Sequence, residues 1–250
     1  MPILEIFANQ AVDPIPIGVR SEELVQGSRI LATDPETGDL PDGIEAQLRN
    51  CYRNLQQCVE SAGGTLRNVA HVSMFFANLQ RDREAMNPAW LATFPDETDR
   101  PTFKFMPAKL PDGHLVHMEF YAVLGETRQA LAVPGVAHTN PIPLGVKLGP
   151  YVFSSRMLPY DPKTGKAADG AEAQAAFLFE NCDALFRASG VDWPDVWQAR
   201  AFLADPGHRA FFDEQWQARF PNAAGRPPLS YVRYGGGALQ IMVEVFAKRA

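Results

Sequence analysis

An internal repeat constrains the fold of this chain more strongly than any other feature of its sequence. The same short strings of residues occur twice, the second time 127 positions later (14 to 141). The matched segments are 14–19 with 141–146, 34–38 with 161–165, and 45–47 with 172–174. After small shifts in register, Glu119 corresponds to Glu244. So long a shared register predicts two tandem copies of one module, residues 1–126 and 127–250.

Length and composition are compatible with two modules of ordinary size. The 250 residues are 46% hydrophobic and 21% charged, so each half is long enough to bury a core of its own. Residues 125–140 contain Gly, Pro and small side chains with little periodicity, and are therefore predicted to be the linker.

Charge and hydropathy argue against several classes of partner. The net charge of -6 and the pI near 5.4 oppose the basic surface that nucleic-acid binding needs. No segment approaches the roughly 20 apolar residues that cross a bilayer, and the N-terminus lacks the basic and apolar regions of a signal peptide. We therefore expect a cytoplasmic protein with no nucleic-acid and no membrane partner.

The three cysteines, Cys51, Cys58 and Cys182, are odd in number and lack the spacing of a metal site. On a helix, Cys51 and Cys58 would lie on one face about two turns apart, too far for a disulfide. We expect reduced thiols that act as small core residues.

Hydrophobic periodicity assigns one element order to both copies. Two extended segments are followed by a turn of sequence Asp-Pro-x-Thr-Gly, which has the proline and glycine that a tight turn needs. A strand, a second helix and two closing strands follow the first helix. The order β-β-α-β-α-β-β predicts an α+β fold, a mixed sheet with both helices on one face. The first helix is amphipathic, and its apolar positions in the first copy are Ile44, Leu48, Cys51, Leu55, Cys58 and Val59.

The ordered set of motifs resembles the RidA (YjgF/YER057c/UK114) family. The matching pieces are Pro-Ile-Gly-Val or Pro-Leu-Gly-Val, Ser-x-x-x-x-x-Asp-Pro-x-Thr-Gly, Glu-Ala-Gln, Phe-Pro, Arg-Pro and a glutamate in the last strand. The resemblance covers nearly the whole chain twice and implies two RidA-like, chorismate mutase-like modules. It also implies trimeric packing, ligand pockets between adjacent modules, and hydrolysis of enamines or imines to a keto acid and ammonia without metal or organic cofactor.

A carboxylate has to carry this reaction. Water must attack the imine carbon, so a carboxylate must deprotonate or orient it and pass a proton to the departing ammonia. The resemblance places this role on Glu119 and Glu244, each within an apolar strand. The alternative for each is a solvent-facing residue or a partner of a structural arginine. His117 shares a strand face with Glu119 but is matched by Met242, which opposes a common catalytic role.

The substrate carboxylate needs a cation, ideally an arginine that binds it with two hydrogen bonds. The family arginine would fall near Thr102 and Pro227, and neither position holds arginine. The nearby Arg100 and Arg226 are candidates for substrate binding, with a rim arginine paired to a carboxylate as the alternative.

A second pair of arginines stands where the family has glycine. We predict that these arginines and the serines before them bind the substrate carboxylate; an intersubunit salt bridge is the alternative. If Arg100 and Arg226 face the same cleft, the ligand would carry two carboxylates, as 2-aminomuconate does. The residues concerned are Ser28, Arg29, Ser155 and Arg156.

The sequence therefore predicts a deaminase for a small carboxylated enamine or imine, in a homo-oligomer with a threefold arrangement of modules. Lys104 is matched by Ser230, which leaves open that one pocket is catalytic and the other vestigial. The alternative is a non-catalytic RidA-like protein that binds small carboxylates, which the missing family arginine supports.

Overall fold

The computed structural model describes residues 3–7, 14–234 and 236–250. The chain divides into two units, Met1–Arg128 and Gln129–Ala250, and each is built around one six-stranded sheet.

The sheet of the first unit is mixed and has the strand order β1-β2-β3-β6-β4-β5. Only β4 and β5 run parallel, because helix α2 carries the chain back between them; the other pairs are antiparallel. The elements are β1 (Leu4–Ile6), β2 (Gly18–Ser21), β3 (Leu24–Ile30), α1 (Ile44–Ser61), β4 (Val69–Phe76), α2 (Leu79–Thr93), β5 (Thr102–Pro107) and β6 (Val116–Val123).

The second unit repeats this topology with the order β13-β12-β14-β9-β8-β7. Here β12 and β13 are the parallel pair, and β10 and β11 form a separate hairpin. The elements are β7 (Gln129–Leu131), β8 (Gly145–Leu148), β9 (Tyr151–Ser154), β10 (Tyr160–Asp161), β11 (Lys166–Ala167), α3 (Ala171–Ser189), β12 (Val196–Leu203), α4 (Arg209–Arg219), β13 (Leu229–Arg233) and β14 (Ile241–Lys248). The predicted α+β fold of two modules is confirmed.

One prediction about the segment between the modules is wrong. Residues 125–140 were expected to be a linker, but β7 lies within them and pairs with β8 at the edge of the second sheet. A three-residue edge strand is held by main-chain hydrogen bonds to one neighbour, and it is too short to give a periodic sequence signal.

The two helices of each unit lie side by side on one face of the sheet. In the first unit, Tyr52 of α1 meets Phe94 at the end of α2, and Trp90 of α2 packs on Phe103 of β5 with ring centroids 4.6 Å apart. In the second unit, Phe212 of α4 contacts Tyr231 of β13.

The buried face of α1 includes five of the six predicted apolar positions, from Leu48 to Val59. All three cysteines are buried and free, as predicted. Burial raises the pKa of the Cys58 thiol to about 12, so at neutral pH it is an unreactive thiol.

A buried glutamine at the start of the first helix ties that helix to the closing strands. In the first unit, Gln47 donates to the carbonyls of Pro41 (3.0 Å) and Gly113 (2.8 Å) and accepts from the Leu115 amide (2.7 Å). Gln174 makes the same three contacts in the second unit, with Ala168, Ala238 and Gln240. The glutamine of the Glu-Ala-Gln motif therefore ties the start of the helix to the loop that leads into the last strand.

Replacement of Gln47 with alanine removes all three part-buried hydrogen bonds and leaves their main-chain groups without this partner. We expect the free energy of unfolding to fall by about 1–3 kcal/mol, measured by urea denaturation, and Gln174→Ala to have a similar effect. The control is Gln56→Ala, since Gln56 is exposed on the same helix; this variant should stay within about 0.5 kcal/mol of the wild type. Equal stability of the Gln47 and Gln56 variants would contradict the assignment.

Candidate functional site

Side chains alternate across each sheet, so one set faces the helices and the other faces away. Phe103 and Phe105 of β5 contact Trp90 and Arg83 of α2, which leaves Thr102 and Lys104 on the opposite side. We call this side the distal face. In the first unit it includes His71, Ser73, Phe75, Thr102, Lys104, His117 and Glu119, and in the second unit Gln198, Arg200, Phe202, Ser230, Met242 and Glu244.

The distal face of the first unit places Glu119, Ser73 and Lys104 in one row across three strands. Ser73 of β4 is the register partner of Glu119 on β6 and also of Lys104 on β5. Strands lie about 4.8 Å apart, so the row runs directly across the sheet. Ser73 and Lys104 are buried, whereas Glu119 is partly exposed.

A buried hydrogen-bond chain orients the serine of this row. The ring of His71 contacts Thr102 Oγ1 through Nδ1 (2.8 Å) and Ser73 Oγ through Nε2 (3.1 Å). The Thr102 hydroxyl donates a hydrogen bond to the Ala70 carbonyl (2.9 Å). In the neutral tautomer that fits this bond, His71 Nδ1 donates to Thr102 and Nε2 accepts a hydrogen bond from Ser73. The lone pairs of Ser73 Oγ are consequently left for other donors.

The second unit has a corresponding row with a different order of side chains. Arg200 of β12 is the register partner of Glu244 on β14 and of Ser230 on β13. The guanidinium Nε donates to Ser230 Oγ at 3.4 Å, so the head of Arg200 lies toward β13. Glu244 is 2% exposed. Each unit thus presents a glutamate, a serine and a cation side by side.

Arg156, predicted to bind substrate, reaches the distal face of the second unit. Its guanidinium carbon lies 4.2 Å from the ring centroid of Tyr234 and 5.4 Å from that of Phe202. Phe202 is the register partner of Met242, two residues before Glu244. The structure therefore brings Arg156 to the same face as Glu244. This stacked geometry suits a guanidinium better than an ammonium group.

The two serines that precede the paired arginines are used differently. Both donate their amide to the carbonyl just before β2 or β8, Ser28 to Ile17 and Ser155 to Leu144. Ser155 is fully buried and its hydroxyl donates to the Pro143 carbonyl at 2.7 Å, whereas Ser28 is exposed.

Arg29 lies beside two histidines in the first unit. The pKa of His114 is lowered by burial and by the charges of His117 and Arg29. The His117 ring in turn contacts the Ser28 carbonyl through Nε2 (3.3 Å) and packs on Phe75. The neighbourhood of Arg29 is therefore basic.

Arg100 and Arg226 stand at the ends of the second helices, not in the rows. Arg100 donates to the carbonyls of Phe94 (3.1 Å) and Pro95 (3.2 Å), and Arg226 donates to Phe220 (2.9 Å). Cations there bind the last carbonyls of a helix and its negative end. Substrate binding by this pair stays a prediction that these contacts do not support.

The sequence reasoning missed Arg200, Ser73 and His71 as site residues. Arg200 and Ser73 are matched by the repeat, but their relation to the glutamates depends on strand register, which the repeat alone does not give. A usable signal was the position of Arg200 in a strand of otherwise apolar or neutral residues.

The described ranges contain no group of three or more His, Cys, Asp or Glu side chains that could hold a metal ion. Within the same ranges, no helix is long and apolar enough to cross a membrane.

Fold and site together define a two-module α+β protein in which a row of one glutamate, one serine and one cation crosses the distal face of each module. The family model described as Endoribonuclease L-PSP matches the chain twice, at residues 10–124 and 137–247. The chain belongs to this family, in agreement with the resemblance to RidA proteins seen in its motifs.

Individual relatives match one module's length. The 2-iminobutanoate/2-iminopropanoate deaminase of Salmonella typhimurium is 34% identical over 84 residues, covering 34% of this chain and 66% of that protein, just under two thirds of its length. A RutC family protein of Pyrococcus abyssi is 30% identical over 123 residues, covering 47% of this chain and 94% of that protein. The crystal structure of the YjgF gene product of E. coli is 25% identical with a TM-score of 0.43, covering 48% of this chain and 96% of that chain.

One titration tests the electrostatics of the second unit. The pKa of His138 is lowered to about 4 by burial and by the charge of Arg156, against a main-chain hydrogen bond of Arg156 that raises it. His138 is therefore neutral in the folded protein at neutral pH, while the unfolded chain has the ordinary value of 6.5.

As the pH falls below that value, the unfolded state gains a proton first, so the free energy of unfolding decreases. We expect a loss of up to about 2 kcal/mol between about pH 7 and about pH 5 from this group, measured by urea denaturation at both pH values. His138→Gln should remove that part of the pH dependence. An identical pH dependence in the two proteins would show that His138 is not held neutral.

Proposed function

We propose that this protein is a deaminase that hydrolyses small 2-imino or 2-enamino acids to the keto acid and ammonia. The observation that carries the proposal is the position of Glu119 and Glu244, on the distal face of both sheets and in a row with a cation. The deaminase name of the Salmonella relative supports the same class of reaction.

The glutamate of each row is the proton carrier in this reaction. As the oxygen of water attacks the imine carbon, the carboxylate accepts a water proton and the C=N electron pair moves to nitrogen. The glutamic acid then donates that proton to the nitrogen, which gives a neutral carbinolamine. The carboxylate next takes the hydroxyl proton and passes it to the amino nitrogen as the C–N bond breaks, so the keto acid and ammonia leave and the glutamate returns to its carboxylate form.

A partly exposed carboxylate beside a buried serine is suited to holding this water. In the first unit, Ser73 Oγ donates a hydrogen bond to His71 Nε2. The same oxygen can accept a hydrogen bond from the water that Glu119 deprotonates. In the second unit, the register partner of Glu244 is Arg200, which supplies the positive charge of that row.

A dicarboxylate of the 2-aminomuconate type is our finer proposal for the second unit. Arg156 and Arg200 both belong to the distal face that carries Glu244. Two guanidinium groups on one face favour a ligand with two carboxylates, because each fork binds one carboxylate with paired hydrogen bonds.

The second candidate is a non-catalytic carboxylate-binding protein, and the replacement of the family arginine near Thr102 and Pro227 favours it. Such a protein would bind a keto acid without turning over the imine. We further propose a homo-oligomeric assembly, which light scattering of the purified protein would test.

The test of the proposed reaction is the double substitution Glu119→Gln and Glu244→Gln. An amino-acid oxidase produces the imine from alanine in the assay, and semicarbazide traps whatever imine the protein does not consume. We expect the double variant to lose imine hydrolysis by about 100-fold or more, the range for general acid–base groups. Each single variant should keep the imine hydrolysis that the unaltered module contributes.

A duplicated pair of exposed glutamates provides the matched control. Glu45 and Glu172 occupy equal positions at the start of α1 and α3, and Glu45→Gln with Glu172→Gln should leave turnover at the wild-type rate. Full turnover by the Glu119/Glu244 variant would rule out the deaminase assignment.

A further inference from the structure

We propose that Lys104 in the first unit and Arg200 in the second are equivalent substrate-binding cations, exchanged between two neighbouring strands. The identity of the ligand, a small carboxylate, rests on the proposed function. The exchange itself rests on strand register within each unit.

The repeat matches Ser73 with Arg200 and Lys104 with Ser230. The first unit therefore has serine on the strand beside the glutamate and lysine on the next strand outward. The second unit has arginine beside the glutamate and serine on the outer strand. Both units keep one cation and one hydroxyl, but the order is reversed.

The contact between Arg200 and Ser230 explains how the reversed order preserves the site. Because the guanidinium Nε donates to Ser230 Oγ, the charge of Arg200 is carried from β12 toward β13. That is the strand that corresponds to β5, from which Lys104 projects. In both units the positive charge thus lies on the same side of the glutamate.

A single exchange of this kind has a direct chemical consequence. The cation fixes the carboxylate of the substrate, and the glutamate of the same row deprotonates the water that attacks the imine carbon. An ammonium group is a compact point charge, whereas a guanidinium presents a planar fork. The second unit should therefore discriminate more strongly than the first between a planar carboxylate and an anion of another shape, such as a sulfonate.

Burial strengthens the argument for the first unit. Lys104 is 3% exposed and Ser73 is 4% exposed, although lysine is rarely so buried in proteins. Lys104 also stands on a strand whose neighbours Phe103 and Phe105 belong to the core. Lysine is seldom buried to this extent unless its ammonium group has a partner, so the charge of Lys104 is held in place on the distal face.

The experiment isolates each unit by inactivating the glutamate of the other. In the Glu244→Gln background, Lys104→Met should raise KM for the imine about 10- to 100-fold with a smaller effect on kcat, since a charged hydrogen bond to the substrate is lost. Arg200→Met should do the same in the Glu119→Gln background. Lys109→Met and Arg233→Met, at exposed positions after β5 and at the end of β13, should leave KM unchanged.

Relocation of the charge separates a binding role from a structural one. In the first unit, Ser73→Arg combined with Lys104→Ser recreates the order of the second unit. This double variant should recover at least a tenth of the kcat/KM that Lys104→Ser alone loses. In the second unit, Arg200→Ser combined with Ser230→Lys is the reciprocal test.

Pyruvate binding, followed by calorimetry, gives a readout that does not depend on turnover. Lys104→Met and Arg200→Met together should weaken it about 10-fold or more, with thermal melts checking that the variants fold. If the two methionine substitutions change neither KM nor pyruvate affinity, the inference is wrong. It is also wrong if the relocation variants fold but recover no activity. In both cases the deaminase proposal stands. If the Glu119/Glu244 variant turns over imine normally but the cations still govern pyruvate binding, the deaminase proposal fails and the binding role stands.

Discussion

The antiparallel pairing of the closing strand with the strand before the second helix determines where the glutamate of each row lies. This pairing sets Glu119 opposite Ser73 and Glu244 opposite Arg200. Side chains alternate with a period of two, so a slip of one residue would turn each glutamate into the helix-packed core. An unpaired carboxylate cannot be buried there without a large cost, so the fold and the site depend on the same register.

Both units stabilise this register with a β-bulge at an equivalent place. The pairing shifts between Val69 and His71 in the first unit and between Val196 and Gln198 in the second. A bulge re-aims the side chains that follow it and keeps the strand from sliding. In the first unit, the carbonyl of the bulged residue Ala70 also accepts a hydrogen bond from the Thr102 hydroxyl. The bulge is therefore part of the hydrogen-bond chain that orients Ser73.

The repeat predicted the fold well because local patterns carry most of it. The long amphipathic helix and the Asp-Pro-x-Thr-Gly turn are both determined by residues close in sequence. The turn is a clear case: Asp34 Oδ1 accepts the amides of Glu36 and Thr37, and these hydrogen bonds hold the pKa of Asp34 below its usual value. Three residues are too few for a periodic signal, so the edge strand β7 is defined only by its pairing with β8.

The candidate site was harder to predict for the same reason. Arg100 is near the glutamates by strand counting, yet its guanidinium turns back to the carbonyls at the end of α2. Arg200 is far from Glu244 in sequence and becomes its direct neighbour only through the sheet. The family resemblance was enough to locate the glutamates. The cations of this chain can be located only from the pairing of its own strands.

Comparison of the two copies shows that their differences are compensated and not random. Gly27 leaves room for its register partner Phe120, since an added Cβ would overlap that ring. In the second unit the matching positions are Ser154 and Val245, where the serine hydroxyl accepts the valine amide at 2.8 Å. A large side chain opposite glycine has become a smaller one opposite serine.

The distal faces differ in the same compensated way. Phe75 is covered by His117 in the first unit, whereas its counterpart Phe202 is covered by Arg156, and the position of His117 holds Met242. The equivalent phenylalanine thus packs against a different polar side chain in each unit. A duplicated chain can make such exchanges independently in each copy, because the register that places the glutamate needs only the main chain and the buried side of the sheet. The rows can then diverge in the ligands they prefer while the fold of both modules stays the same.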